Sequence, residues 1–146
     1  MNITLKCPQC GNVISAAAAD GLEKRKAECP RCHTLQAVSD YLPSLCLHTD
    51  TSVHQLHFGA QWVGRQSKGS DADVQIPDPT GYMSRRHALV RVDCTAAGLR
   101  CTYEEHGKNP TAVQGIELVE GDIVYLNVND CLMMGDTKMY LSNEFS

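Results

Sequence analysis

At 146 residues, with 42% hydrophobic and 21% charged residues, the chain has the make-up of a folded globular protein and room for one domain, or one domain plus a small module. Its formal net charge of -4 argues against an overall attraction for nucleic acid or an acidic membrane. No stretch nears the roughly 20 apolar residues of a membrane helix. No apolar run with a cleavage site follows residues 1–6, so the expectation is a cytoplasmic protein without membrane attachment. In that compartment eight cysteines point to metal binding and buried thiols rather than to disulfides.

The first element carries two C-x-x-C pairs, Cys7-Pro8-Gln9-Cys10-Gly11 and Cys29-Pro30-Arg31-Cys32, separated by 18 residues. That spacing reads as a zinc site. Two residues between thiolates let both sulfurs turn toward one ion about 2.3 Å away, and two such pairs close a tetrahedron. Gly11 frees the backbone to turn back, so that nearby amides can point at the sulfurs. Cys7, Cys10, Cys29 and Cys32 are therefore the expected ligands of a structural zinc ion. Four thiolates leave no open position for chemistry and would take the net charge to about -6. A redox dithiol wants a single pair beside a βαβ unit, which the pattern lacks. His33 follows the last cysteine but meets a filled shell. The segment resembles the zinc ribbons at the N-termini of bacterial regulatory proteins, which bind nucleic acid in some families and proteins in others. Lys24, Arg25 and Lys26 form the only basic cluster and are flanked by Glu23 and Glu28. They read as a solvated hairpin tip ahead of a nucleic-acid contact.

Composition changes near Tyr41-Leu42-Pro43, where a proline interrupts regular structure. We expect a four-cysteine ribbon over residues 1–40 and a second domain over 44–146. The latter is read as strands at 45–48, 53–58, 61–66, 73–76, 87–95, 99–105, 112–115, 122–127, 131–135 and 138–141. Ala88, Val90, Val92 and Cys94 alternate with polar or outward residues, as do Leu99, Cys101 and Tyr103, and Ala96-Ala97-Gly98 joins the two runs as a hairpin. Many short strands with frequent turn signals predict a β-sandwich. Trp62 reads as a core anchor. Cys46, Cys94, Cys101 and Cys131 read as small buried hydrophobes, with Cys94 and Cys101 facing each other across the hairpin.

The densest chemistry lies between Val63 and Gly115. Val63-Gly64-Arg65 ends a strand, and Gly64 is read as a turn that aims Arg65 outward. Ser70-Asp71-Ala72-Asp73-Val74-Gln75-Ile76 follows. A loop then delivers Ser84-Arg85-Arg86-His87-Ala88, and a second carries His106-Gly107-Lys108-Asn109-Pro110-Thr111 into Ala112-Val113-Gln114-Gly115. A β-scaffold whose loops bear arginines, a lysine, a serine and an asparagine suits a phosphate dianion: guanidinium forks, a hydroxyl donor, and an amide for neighbouring backbone.

These runs, in order and in spacing, resemble forkhead-associated (FHA) domains, as do Gly121-Asp122-Ile123-Val124-Tyr125-Leu126 and Met134-Gly135 near the end. The resemblance covers about residues 44–146. It implies an all-β, FHA-type sandwich of about eleven strands behind a small zinc ribbon, with loops at one end that bind phosphothreonine peptides. By position, Arg65 and Ser84 would contact phosphate. Arg85 would lie near phosphate or peptide backbone, and Lys108 precedes the asparagine where relatives often have threonine or serine. Asn109 would bond the peptide main chain, and His87 would be a buried tie between the loops. Arg86 would point away. The family's Asn-Gly-Thr is Asn109-Pro110-Thr111 here, and proline forbids a glycine-only conformation. The pattern resumes after it, which favours a compatible turn over a displaced Asn109. The expected function is phosphorylation-dependent recruitment of a threonine-phosphorylated protein or peptide, without catalysis, since no P-loop, dinucleotide fingerprint or nucleophile elbow occurs. The alternatives are a zinc-stapled scaffold with a degenerate phosphate pocket, or a ribbon that binds nucleic acid.

Overall fold

The computed structural model describes residues 1–145. Among them strands dominate, and helical backbone is confined to two 3-10 turns, Leu22–Lys24 and Val38–Asp40. The first forty residues form two small hairpins: β1 (Asn2–Lys6) pairs with β2 (Val13–Ala17), and β3 (Lys26–Glu28) with β4 (Leu35–Ala37), both antiparallel. Each C-x-x-C run is the turn of one hairpin. These strands are only three to five residues long, too short to stand out even where, as in Asn2-Ile3-Thr4-Leu5-Lys6, polar and apolar residues alternate, and the cysteine knuckles define them instead.

The remaining strands are β5 (Ser44–His48), β6 (Val53–Gln55), β7 (Gly59–Arg65), β8 (Val74–Ile76), β9 (Ala88–Thr95), β10 (Gly98–Glu105), β11 (Ala112–Val113), β12 (Ile116–Glu117), β13 (Ile123–Leu126), β14 (Cys131–Met134) and β15 (Thr137–Glu144). They form a five-stranded sheet in the order β13-β10-β9-β7-β8 and a six-stranded sheet in the order β12-β11-β14-β15-β5-β6. Among the described residues only the β7–β8 pair is parallel. This is the eleven-stranded sandwich that the motifs imply. Alternation places Val63, Ile76, Val90, Val92 and Tyr103 of one sheet against Leu47, Leu132, Met134, Met139 and Leu141 of the other, all buried. Each such side chain contributes about 1.5–3 kcal/mol by leaving water.

Several local expectations are corrected. The segment at 112–115 divides, because Gln114 and Gly115 both take positive φ (50° and 80°) and form a two-residue turn into β12; paired positive φ values suit the twist of a tight hairpin. Across the β9–β10 hairpin Cys94 faces Leu99 and Cys101 faces Val92, so the two thiols do not oppose each other. Cys131 lies on the outward side of β14 and is exposed, whereas Cys46, Cys94 and Cys101 are buried. Trp62 is no core anchor. Gln61 and Val63 turn inward on β7, so Trp62 turns out, under the Arg86 guanidinium at 5.2 Å and beside the His106 ring at 5.2 Å.

The ribbon packs on the sandwich. Tyr41, Leu42 and Pro43 are buried, and Leu5, Leu22, Val38, Tyr41 and Leu42 form a second apolar cluster that includes Cys94, with Phe58 and Leu99 against it. Pairing between β7 and β9 stops at Gly59 and Val92. Beyond it, the Cys94 amide donates to Glu23 Oε2 at 3.1 Å and the Cys94 carbonyl accepts from the Gly21 amide at 3.0 Å. Asp20 Oδ1 takes the Ala96 amide at 3.0 Å. The ribbon thus satisfies the strand-end groups that β7 leaves open.

Candidate functional site

Three stretches of chain meet at one end of the sandwich: the end of β7, the loop from β8 to β9, and the loop from β10 to β11. Gly64 is where the first two touch. A Cβ there would collide with the Arg85 carbonyl, and its φ is not positive. Its value is therefore close approach rather than a turn, which corrects the sequence reading. The contact lets the Arg65 amide donate to the Ser84 carbonyl at 2.9 Å and Arg65 Nε donate to the Met83 carbonyl at 3.0 Å. The guanidinium is thereby held beside the residue that precedes Ser84.

The second loop is fastened to the same segment. Ser84 Oγ accepts the Lys108 amide at 3.1 Å, and Asn109 Nδ2 donates to the Tyr82 carbonyl at 3.0 Å. Arg65, Ser84, Lys108 and Asn109 are thus all tied to residues 82–84, and Arg85 is exposed on the same loop. Neither Asn109 nor Pro110 has positive φ, so this loop does not use the conformation that proline forbids.

His87, Glu105 and Thr111 are buried polar groups that hold these loops, and of them His87 was expected in that role. Its Nδ1 accepts the Ser84 amide at 2.9 Å, while Nε2 lies 3.0 Å from Thr111 Oγ1 and 3.3 Å from Glu105 Oε1. Burial drives His87 below the ordinary histidine value, against the raising influence of Glu105 and Asp78. A neutral ring with its proton on Nε2 fits all three contacts. Gly107 packs on this ring so closely that a Cβ would overlap it. Glu105 was not foreseen. Its Oε1 accepts the amides of His106 at 3.1 Å and Gly107 at 3.0 Å, and its Oε2 accepts that of Thr111 at 2.7 Å. Thr111 Oγ1 also lies 2.6 Å from the Tyr103 hydroxyl. Asp78, likewise missed, organises the first loop through the Thr80 amide and hydroxyl and the Met83 amide at 2.8 Å. Burial pushes the Asp78 carboxyl up, but these bonds outweigh it and hold the group below its usual range.

The electrostatics sort the cations. Arg86 pairs with Asp71 at 2.5 Å and Arg100 with Asp93 at 2.6 Å. Among the described residues Arg65, Arg85 and Lys108 make no ion pair. Uncompensated cations at one end of an acidic chain, with a serine hydroxyl among them, form a site suited to an anion.

At the ribbon, the sulfurs of Cys7, Cys10, Cys29 and Cys32 all lie within 4.8 Å of one another. Cys7 and Cys32 are 3.7 Å apart, as are Cys10 and Cys29. A disulfide requires about 2.05 Å, whereas a tetrahedron of sulfurs about 2.3 Å from an ion has edges of about 3.8 Å. The donor set therefore fits a four-coordinate metal ion. Gly11 and His33 occupy equivalent left-handed positions, φ 76° and 63°. Each donates its amide 2.8 Å back to the first cysteine carbonyl of its knuckle. His33 is thus a turn residue, and its ring lies 3.6 Å from Glu28, outside the sulfur cluster. Amides of Cys32 and Arg31 lower the Cys29 thiol, and the Thr34 hydroxyl and amide pull Cys32 down to about 6. Both effects favour thiolates, the form that binds metal, whereas at Cys10 the Asn12 amide lowers the thiol but burial and the sulfurs of Cys29, Cys7 and Cys32 outweigh it and push it up to about 11.

The sequence profile of the FHA domain matches residues 62–135, half of the chain. This protein belongs to the FHA family. FHA domains are binding modules, not enzymes, and the described loops carry the family's motifs. Solved structures with the same fold include an FHA domain from work on phosphothreonine-dependent FHA interactions, 23% identical with TM-score 0.54 over 68% of this chain and 95% of that one. The MEK1 FHA domain in complex with a HOP1 phosphothreonine peptide is 15% identical, with TM-score 0.55 over 68% and 95%. The yeast Pml1 splicing factor is 16% identical, with TM-score 0.57 over 71% and 80%. At these identities the likeness is one of fold. No curated protein matches the chain. Among the described residues no helix is long and apolar enough to cross a membrane.

Proposed function

We propose that the FHA domain reads phosphothreonine and so recruits a threonine-phosphorylated protein. The supporting observation is the convergence of Arg65, Ser84, Lys108 and Asn109 on residues 82–84. In this reading Arg65 and the Ser84 hydroxyl grip the phosphate, and Arg85 and Lys108 flank it. Asn109 is anchored through its amide nitrogen and offers its oxygen to a peptide N–H. Gly64 and His87 hold the loops at the required spacing. Charge-assisted bonds of this kind contribute about 1.5–3 kcal/mol each. Preference for threonine is carried over from FHA domains studied with phosphothreonine ligands.

Residues 1–40 form, in the same proposal, a ribbon whose resident ion is structural zinc, bound by Cys7, Cys10, Cys29 and Cys32, and residues 44–146 form the FHA domain. Eight unpaired cysteines suit a reducing cytoplasm. Calorimetric titration with matched phosphothreonine, phosphoserine and unphosphorylated peptides tests the function: the first should bind most tightly, and equal affinity for all three would end the reading. Elemental analysis of the purified protein tests the metal, with about one zinc per chain expected.

A further inference from the structure

Among the described residues the sandwich ends in four sheet edges, β6, β8, β12 and β13. β6 is three residues long and carries the polar His54 and Gln55, β12 is two residues long and carries Glu117, and β8 is three residues long and runs into Pro77. Shortness, polarity and proline all discourage the addition of a further strand. β13 is the longest of the four, and its residues Ile123-Val124-Tyr125-Leu126 are all apolar and uncharged.

Both the backbone and the side chains of β13 are left open. The Glu105 amide donates to the Asp122 carbonyl at 2.9 Å, which sets the phase of the β10–β13 ladder. Alternation from that pair, in the observed register, turns the backbone of Val124 and Leu126 toward β10 and that of Ile123 and Tyr125 away from it. The N–H and C=O groups of Ile123 and Tyr125 thus face an edge with no strand beside it among the described residues. Their side chains are 64% and 67% exposed, whereas Leu126 is buried and Val124 packs against the core.

Charges near the strand are already engaged. Asp122 Oδ2 accepts the Val119 amide at 2.9 Å and Asp130 Oδ2 the Asn127 amide at 2.8 Å. On β10, Glu104 lies 3.2 Å from His106 and Arg100 pairs with Asp93 at 2.6 Å. A partner on this edge is therefore matched best by a neutral, apolar strand, which is what the same edge of an identical chain presents.

We propose that β13 pairs with the β13 of a second copy of this chain, antiparallel about a two-fold axis at Val124. In that register Ile123 stands opposite the second copy's Tyr125, and Tyr125 opposite its Ile123. These are the two residues whose backbone groups face outward, so the pairing closes four N–H···O=C bonds and joins two five-stranded sheets into one. Both isoleucines and both tyrosines then cover one another on the outer face. The register also suits charge. Glu120 falls opposite Val128 and Asp122 opposite Leu126, and the two Asp122 residues stand about 14 Å apart, farther than a Debye length at physiological ionic strength. With roughly ten residues a side against the 20–30 of a standard interface, the dimer is weak, with a dissociation constant of about 10–100 µM. The recognition loops of the two copies point in opposite directions, and the pairing is independent of what they bind.

Sedimentation of the full chain from about 5 to 500 µM tests the association, with the average mass rising from near one chain toward two. Hydrogen exchange over the same range locates it. The Ile123 and Tyr125 amides should slow about fivefold at the highest concentration, while those of Val124 and Leu126, bonded within the sheet, stay constant. Tyr125→Lys alters an exposed side chain and sets a charge on each strand of the pair. It should weaken association about tenfold or more, with the melting temperature of the dilute protein unchanged. A chain that stays monomeric at about 500 µM leaves the edge to a strand of another protein or to solvent, and overturns the proposal. A dimer that leaves Ile123 and Tyr125 exchange unaltered, or that persists undiminished in Tyr125→Lys, uses another surface and overturns it equally. Should the variant fail to fold, concentration-dependent exchange in the unaltered chain still decides.

Discussion

Arg65 and Arg86 both border the recognition loops, and they differ in whether a carboxylate already neutralises them. Arg86 has Asp71 at 2.5 Å and rests over Trp62. Arg65 leans only on the Met83 carbonyl. Arg65→Ala should therefore weaken phosphothreonine-peptide binding about tenfold or more, whereas Arg86→Ala should change it by less than about threefold. Titration of the two variants compares them directly, and equal losses would contradict the assignment. His87 supplies a prediction of another kind. Its folded pKa is depressed by burial, so the unfolded chain takes the proton first as pH falls. The stability contributed by the neutral ring is complete above about pH 6.5 and declines as pH drops below that value toward the lower folded pKa. Urea midpoints should accordingly be lower on the acid side of about pH 6.5. His54 is shifted down by burial as well and acts in the same direction. The portion due to His87 is therefore the part that disappears in His87→Asn. A midpoint equally pH-dependent in the variant would assign the effect elsewhere.

The loop from β10 to β11 is folded around one carboxylate. Glu105 accepts three of its amides, and an unmade buried hydrogen bond costs about 1–3 kcal/mol. Glu105→Ala should destabilise the protein by about 3 kcal/mol or more. The Gly107 and Thr111 amides should lose hydrogen-exchange protection beyond what the global loss explains. Protection that falls uniformly along the chain would mean that Glu105 stabilises the sandwich without shaping the loop. This residue also marks the limit of what the sequence reveals at this scale. Leu99, Cys101 and Tyr103 were read as inward, and the same parity puts Glu105 inside. A charged side chain is seldom buried, so composition argues against the inward place that parity gives it. Trp62 is the converse case, since its size suggested the core while its neighbours Gln61 and Val63 took the inward positions. The strands of the sandwich and the order of its motifs were legible because alternation and turn chemistry are local. Gly64 was read as a turn, whereas its lack of a side chain serves an approach by residues 84–85, a tertiary fact that no local pattern encodes.

The two ends of the β9–β10 hairpin separate the molecule's two special chemistries. The ribbon clasps Cys94 and Ala96 near the turn, while His87 and Glu105 stand at the opposite ends of the same strands. Seven residues of extended chain between His87 and Cys94 span about 23 Å. Neither the clasp nor the buried Glu23 beneath it could be inferred from sequence, because their partners lie 71 and 76 positions away along the chain. If the ribbon is held by its ion, removal of that ion leaves four thiolates with nothing to balance them, and the two hairpins have too few contacts of their own to persist. Chelation under reducing conditions should then abolish exchange protection at Cys94 and Ala96, whose amides lose Glu23 and Asp20. The His106 and Gly107 amides, bonded to His87 and Glu105 within the sandwich, should keep theirs. Phosphopeptide affinity should stay within about twofold, as expected for perturbations well beyond 10 Å that share no partner. A loss of tenfold or more on chelation would instead mean that the hairpin transmits the state of the ribbon to the recognition loops, and that the metal regulates binding rather than only supporting the fold.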